Sequence, residues 1–178
     1  LRESAGRRRA AGVLAGRLRA LLRLRPGDTV LVVGLGNAAV TPDAVGPRVV
    51  ERLLVTRHLE GLPLRPVCAL APGVLGSTGL ESAELVRGVV QRVHPARVVA
   101  VDALVSREPN RVCTAVQLAD TGIVPGSGVA NSRAALNEAS LGVPVVALGI
   151  PTVVEARTLC ADLLRHTGGA EQAPPELL

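Results

Sequence analysis

Apolar runs and helical stripes alternate along this chain. "TVLVVGL" (29–35) is apolar at almost every position, the pattern of a strand covered on both faces, as in a parallel sheet. "RPVCAL" (65–70), "RVVAVDAL" (97–104, a strand ending at Asp102) and "PVVALGI" (144–150) repeat that pattern. "RVCTAVQLAD" (111–120) alternates more and reads as an edge strand. Leu14, Leu18, Leu21 and Leu22 recur at helical spacing within 7–24. Val45, Val49, Leu53 and Leu54 line a helix capped by Thr41, with Pro42 at its first position and its end near His58. A further helix covers 80–93 and stops before Pro95, and a last one covers 151–166 with Pro151 near its start. Gly/Pro-rich loops fill 71–79 and 121–132.

Strands alternating with helices predict a three-layer α/β/α domain with a mainly parallel or mixed sheet. The expected organisation is a basic N-terminal helix or arm over 1–26, one α/β/α domain over 27–167 and a frayed tail over 168–178. In such sheets, sites form beyond the carboxyl ends of the strands. That rule selects Asp43, Asp102 and Asp120.

Composition narrows the picture. There is no Phe, Trp, Tyr or Met, so Val, Leu, Ile and Ala must build the core, and every basic charge is an arginine. Residues 1–25 hold eight arginines against Glu3 alone, a formal +7, so the remainder carries −2 of the chain's +5. A basic arm suits nucleic acid or acidic membranes. The leucine stripe favours a helix packed on the body instead, and without aromatics no base-stacking platform exists. Nucleic acid and membrane are therefore not expected partners. Cys68, Cys113 and Cys160 are scattered without a C-x-x-C, which fits a reduced cytosolic protein with buried, inert thiols. No apolar run is long enough to span a bilayer, and arginines interrupt any signal-peptide core. The chain opens on Leu1 without Met, which fits a fragment or a processed form.

The stretch "VVGLGNAAVTPDAVGP" (32–47) has the strand, Gly-rich turn and helix of a phosphate cradle. It lacks the third glycine of G-x-G-x-x-G, where Ala39 stands, and the chain has no lysine for a P-loop. Asp43 in a first helical turn would repel phosphate, while the helix dipole favours its ionised form. That suits a general base or a metal ligand. Asp102 follows "VVAV", where a carboxylate is costly unless paired, bonded or used; the plain alternative is a helix cap. Asp120 sits in "ADTG", which resembles the Asp-Thr-Gly of pepsin-like proteases, but those are all-β, and a brace for the following loop is the simpler reading. His58, His94 and His166 form no H-E-x-x-H pair and read as surface residues. Ser127 in "PGSG" is outside any G-x-S-x-G elbow.

The stretches "VVGLGNAAVTPDAVGPRVVERLLVTRHL", "APGVLGSTGLESAELVRGVV", "DALVSR", "LADTGIVPGSGVANSR" and "LGVPVVALGIPTVVEA" resemble the spore germination protease family, in order, over roughly residues 28–158. The resemblance implies an endopeptidase that starts the breakdown of small acid-soluble spore proteins at germination, in the cytoplasm of the spore core. It also implies an atypical aspartic mechanism, no cofactor and no metal, a homotetramer and a zymogen activated by loss of a propeptide. The family's two proposed catalytic aspartates match Asp43 in "TPDAVGP" and Asp102 in "VDALVSR". The "GLGN…TPDAVGPRVVE" pattern is more distantly similar to hydrogenase maturation peptidases, which share an α/β/α fold. There a Glu at the Asp43 position and an Asp like Asp102 hold nickel with a His, a residue that the quoted pattern does not place in this sequence. The chain is short at both ends relative to the protease family, and Ala130 stands in "GVAN" where a Gly is usual.

Three functions follow from these residues. The first is a metal-independent endopeptidase for spore proteins, with Asp43 as base for water and Asp102 as acid for the leaving amine. The others are a metal-dependent maturation-type peptidase, and an inactive truncated paralogue that binds a protein.

Overall fold

The computed structural model describes residues 2–126 and 133–166. In chain order it contains α1 (Arg2–Leu22), β1 (Val30–Gly34), a 3-10 turn (Thr41–Asp43), α2 (Val45–Arg52), β2 (Val67–Leu70) and the single-turn α3 (Leu75–Thr78). There follow α4 (Ser82–Val93), β3 (Arg97–Ser106), a second 3-10 turn (Pro109–Arg111), β4 (Gln117–Ala119), α5 (Glu138–Leu141), β5 (Val145–Val154) and α6 (Ala156–His166). Ser127, Ala130 and the tail from Gly168 lie outside the described residues. Among the described residues no helix is long and apolar enough to cross a membrane.

The strands form one sheet in the order β2-β1-β3-β5-β4. Four run parallel, and β4 pairs antiparallel with β5 at the edge. Alternate residues of each strand enter two separate cores, as the pleat requires. Leu31, Val33, Val98, Ala100 and Val145 meet Ala83, Val86 and Val90 of α4, with Leu141 of α5. Val30, Val32, Val99, Val101, Val146 and Leu148 meet Leu14, Leu18 and Leu21 of α1 and Val45 and Val49 of α2. Helices on both faces of one sheet make the three-layer α/β/α domain. Buried strand residues such as Val33, Val98 and Ala100 have no solvent exposure at all. The continuous apolar runs of the sequence are the direct result of this double cover.

Four elements differ from the sequence expectation: the edge strand read over 111–120 is confined to Gln117–Ala119, after a 3-10 turn at Pro109–Arg111, and three others differ each for a local reason. The helix after Pro42 does not reach His58. It ends at Arg52, because Thr56 is recruited elsewhere: its hydroxyl donates to the Arg65 carbonyl and accepts the Val67 N–H at 3.0 Å, while its own N–H donates to the Val67 carbonyl at 2.9 Å. The chain from Leu53 is drawn out to clasp β2, and Leu54 is left exposed. The third strand does not end at Asp102. It runs to Ser106 because β5 keeps pairing with it, past an irregularity between Leu104 and Val105. The stretch from Pro151 is strand, not helix. The β-branched Thr152, Val153 and Val154 extend β5, and the Pro151 carbonyl accepts the Cys113 N–H at 2.7 Å. The thiols also differ from expectation: Cys68 is half-buried, but Cys113 and Cys160 are exposed.

The contact between β1 and α2 is backbone on backbone. A β-carbon on Gly34 would stand 2.2 Å from the Gly46 carbonyl oxygen, and one on Gly46 would stand 2.2 Å from that of Leu35. Gly46→Ala should therefore destabilise the protein by at least about 2 kcal/mol, since rigid backbone leaves nothing to move aside. Gly88→Ala, on an exposed turn of α4 with no atom within 4 Å of the new carbon, should stabilise it by about 1 kcal/mol. Urea unfolding midpoints of the two variants check both signs.

Candidate active site

The strand order places the site. From β1 the chain passes to β2 on one side, then crosses to β3 on the other, so the crevice opens beyond the carboxyl ends of β1 and β3. The last rung between them pairs Gly34 with Val101, and the Leu35 N–H donates to the Val101 carbonyl at 2.8 Å. Asp102 is the next residue. It has no β1 neighbour, yet it stays paired to β5 through Gly149. Its carboxyl thus stands inside a long strand but at the end of the sheet as β1 meets it.

Asp43 reaches the same crevice from the loop after β1. It lies in the 3-10 turn, one residue before Ala44, the N-cap of α2, and not in that helix's first turn. Its Oδ2 accepts the Asn37 N–H at 2.7 Å, and its own N–H donates to the Val40 carbonyl at 2.8 Å. Gly36, at φ +110°, passes so close that a β-carbon there would lie 2.0 Å from the Asp43 carbonyl oxygen. The Asn37 side chain folds back to accept the Ala39 N–H at 2.9 Å and fixes the turn. The Gly-rich loop that looks like a phosphate cradle therefore holds a carboxylate of the chain itself.

The two carboxyls sit in different surroundings. Asp43 is half-buried, whereas Asp102 is 7% exposed. Burial pushes the Asp102 carboxyl up to about 7; the Ala103 N–H, donating to its Oδ1 at 2.9 Å, opposes this, and the negative charge of Asp43 adds to it. Asp102 can hold a proton near neutral pH beside a second carboxylate. One member can then give a proton while the other takes one.

Both aspartates line a cavity of about 550 Å³ walled by Val40, Leu104, Ile123 and Val124, with Gln117 at its side. They also line a second cavity, of about 380 Å³, formed by the 73–76 loop and by Arg133 and Glu81, which pair at 3.6 Å. The carboxyls stand where the two hollows meet. Two other hollows of similar size, beside α2 and beneath α1, touch neither aspartate. Chemistry and not volume selects the site.

The remaining sequence candidates fall elsewhere. Asp120 is exposed and outside both cavities, as are His58 and His94. Among the described residues no group of three His, Cys, Asp or Glu is placed to hold a metal ion. Gly36, the Asn37 amide and the Glu81–Arg133 pair escaped the sequence reading. The first was visible as an unexplained glycine; the pair joins positions 52 residues apart and leaves no local signal.

Comparisons with known proteins show the family. A family described as "Germination protease" matches residues 2–171. The germination protease of Clostridium perfringens is 51% identical over 159 residues, covering 85% of this chain and 49% of the relative. That of Caldanaerobacter subterraneus is 51% identical over 165 residues, covering 89% and 51%. That of Bacillus subtilis is 49% identical over 158 residues, covering 83% and 43%. The chain thus spans about half the length of these relatives. Among solved structures, the [NiFe] hydrogenase maturation protease HybD from Thermococcus kodakarensis aligns with a TM-score of 0.35 and 13% identity, over 81% of this chain and 97% of that one.

The raised Asp102 value has a consequence for stability. An acid that holds its proton more tightly when folded stabilises the fold fully below its unfolded value of 3.8, and that contribution is lost as pH rises to about 7. Three units correspond to roughly 4 kcal/mol as a ceiling. Asp102→Asn should remove this loss, so the variant gains on the parent as pH rises from 3.8 to about 7 and the difference levels off above that. Chemical denaturation of both proteins across that range checks it; a stability difference that ignores pH contradicts it.

Proposed function

The chain belongs to the germination protease family, and from that premise we propose that it is an endopeptidase that opens the breakdown of small acid-soluble spore proteins in the germinating spore core. In this reading the reaction needs no metal and runs on Asp43 and Asp102. The observation that carries it is the pairing of an anchored Asp43 with a buried, proton-holding Asp102 at the junction of two cavities.

The reaction follows from the two environments. Asp43, held by the Asn37 amide as an acceptor, takes a proton from water as the water oxygen attacks the peptide carbonyl carbon. The carbonyl π electrons move to oxygen. The carbonyl then re-forms, the C–N bond breaks, and the leaving nitrogen takes the Asp102 proton. Asp43 ends neutral and Asp102 charged, and a proton passing between them through solvent restores the start. Burial favours the neutral acid at Asp102, and the Asn37 N–H that fixes the Asp43 carboxyl at the same crevice positions it as the base. The same reading includes assembly as a homotetramer and activation by loss of an N-terminal segment, which sedimentation and N-terminal mass measurements of the spore protein address.

Cleavage of a purified small acid-soluble spore protein tests the proposal. Asp43→Asn and Asp102→Asn should each lower kcat/KM by about 10²–10⁴-fold without unfolding the chain, because an amide keeps the shape and cannot transfer the proton. Asp120→Asn should leave turnover near the parent value. The rate should fall as pH rises through about 7, where Asp102 loses its proton. Chelators should have no effect. Full cleavage by Asp43→Asn contradicts the two-aspartate reaction, and chelator loss reversed by added metal moves the case to a metal peptidase.

A further inference from the structure

The two-aspartate reaction leaves one charge unattended. When water attacks, negative charge gathers on the carbonyl oxygen, and a donor aimed there is usually the largest aid to such a step. Among the described residues lining the 550 Å³ cavity, only Gln117 and Thr152 carry a side-chain amide or hydroxyl donor.

Register decides between them. Asp102 pairs with Gly149 across β3 and β5, and Gly149 pairs with Gln117 across β5 and β4. The three residues form one row across the sheet. They also share a face: their neighbours Val101, Leu148 and Leu118 all enter the core on the α1 and α2 side, so the row itself faces the other way. Gly149 in the middle contributes no side chain. Leu104 fills its place, with Cδ1 only 2.2 Å from where a β-carbon would stand. The row therefore reads as a carboxyl, a low apolar floor and a carboxamide. Two strand spacings separate Asp102 from Gln117, roughly 10 Å between backbones, which is room for a peptide group and one water. Thr152 stands three residues farther along β5, roughly 10 Å beyond the row. Gln117 is exposed on the edge strand, so no core contact explains its identity.

We propose that Gln117 is a catalytic residue whose carboxamide N–H donates to the carbonyl oxygen of the scissile peptide, across the Leu104 floor from Asp102. The proposal rests on the endopeptidase reading above and adds a third group to it. During attack the N–H bonds strengthen to the forming oxyanion; when the carbonyl re-forms they weaken, and no covalent bond to Gln117 is made or broken.

The test is steady-state cleavage of a small acid-soluble spore protein by the parent, Gln117→Leu and Gln117→Glu, with a thermal melt of each. Gln117→Leu removes the donor at similar size, and Gln117→Glu keeps the shape without a donor at pH 7. Both should lower kcat by about 10²–10³-fold with KM within a few-fold and with a melt like the parent's. A parent that cleaves together with variants that match its kcat, or that change only KM, overturns the role of Gln117 and leaves the aspartates standing. So does a loss of kcat in Thr152→Val that Gln117→Leu does not show. A parent that does not cleave at all overturns the endopeptidase reading and this proposal together.

Discussion

The site depends on one steric constraint: the end of β1 and the start of α2 touch through bare backbone. Gly34 and Gly46 leave no side chain between them, and Gly46 also comes within 2.6 Å, at a would-be β-carbon, of the Val101 carbonyl next to Asp102. That contact brings the loop carrying Asp43 down onto the open end of β3. Gly36 then lets the chain turn beneath Asp43, and the Asn37 N–H fixes the carboxylate. A side chain at any of these three glycines would lift the loop and part the two acids.

The same constraint explains why the two acids differ. Asp102 is set in a strand whose neighbours are Val101 and Ala103, and little water reaches it. Its burial costs stability, which native proteins tolerate mainly where a site needs it. Asp43 lies on the loop side, with an amide pointed at it and solvent nearby. Two chemically identical side chains thus stand in different surroundings by position alone, one buried in a strand and one held on a loop. The sheet adds directionality: β4, antiparallel at the edge, carries Gln117 level with Asp102, and the glycine between them makes room for Leu104 to form an apolar floor.

Much of the fold was legible in the sequence because double cover leaves a strong trace. "VLVVGL" and "VVAV" are unbroken apolar runs, and Leu14, Leu18 and Leu21 mark a helix that must rest on apolar surface. The lengths were harder to read. Asp102 looks like a strand end, since a carboxylate is unwelcome inside a sheet; only pairing with β5, far along the chain, carries β3 past it. Pro151 looks like a helix start, a place prolines favour, but the three β-branched residues after it won. Thr56 looks like helix interior until its hydroxyl is seen bridging to Arg65 and Val67. At the site, the rule that chemistry gathers beyond strand ends selected Asp43, Asp102 and Asp120 alike; only the folded chain brings Asp43 and Asp102 to one crevice and leaves Asp120 outside it. What the pattern could not disclose was the occupant of the Gly-rich loop, because a cradle for an outside anion and one for the chain's own carboxylate need the same glycines.

Burial and the nearby charge of Asp43 hold the Asp102 proton on toward neutral pH. A carbon-13 NMR titration of the aspartate carboxyls reads this directly, with the Asp102 signal identified by its loss in Asp102→Asn. The expected midpoint is at about 7 and moves down when Asp43 is replaced by Asn. A midpoint in the ordinary range, at about 4, or one that does not move in Asp43→Asn, would contradict it.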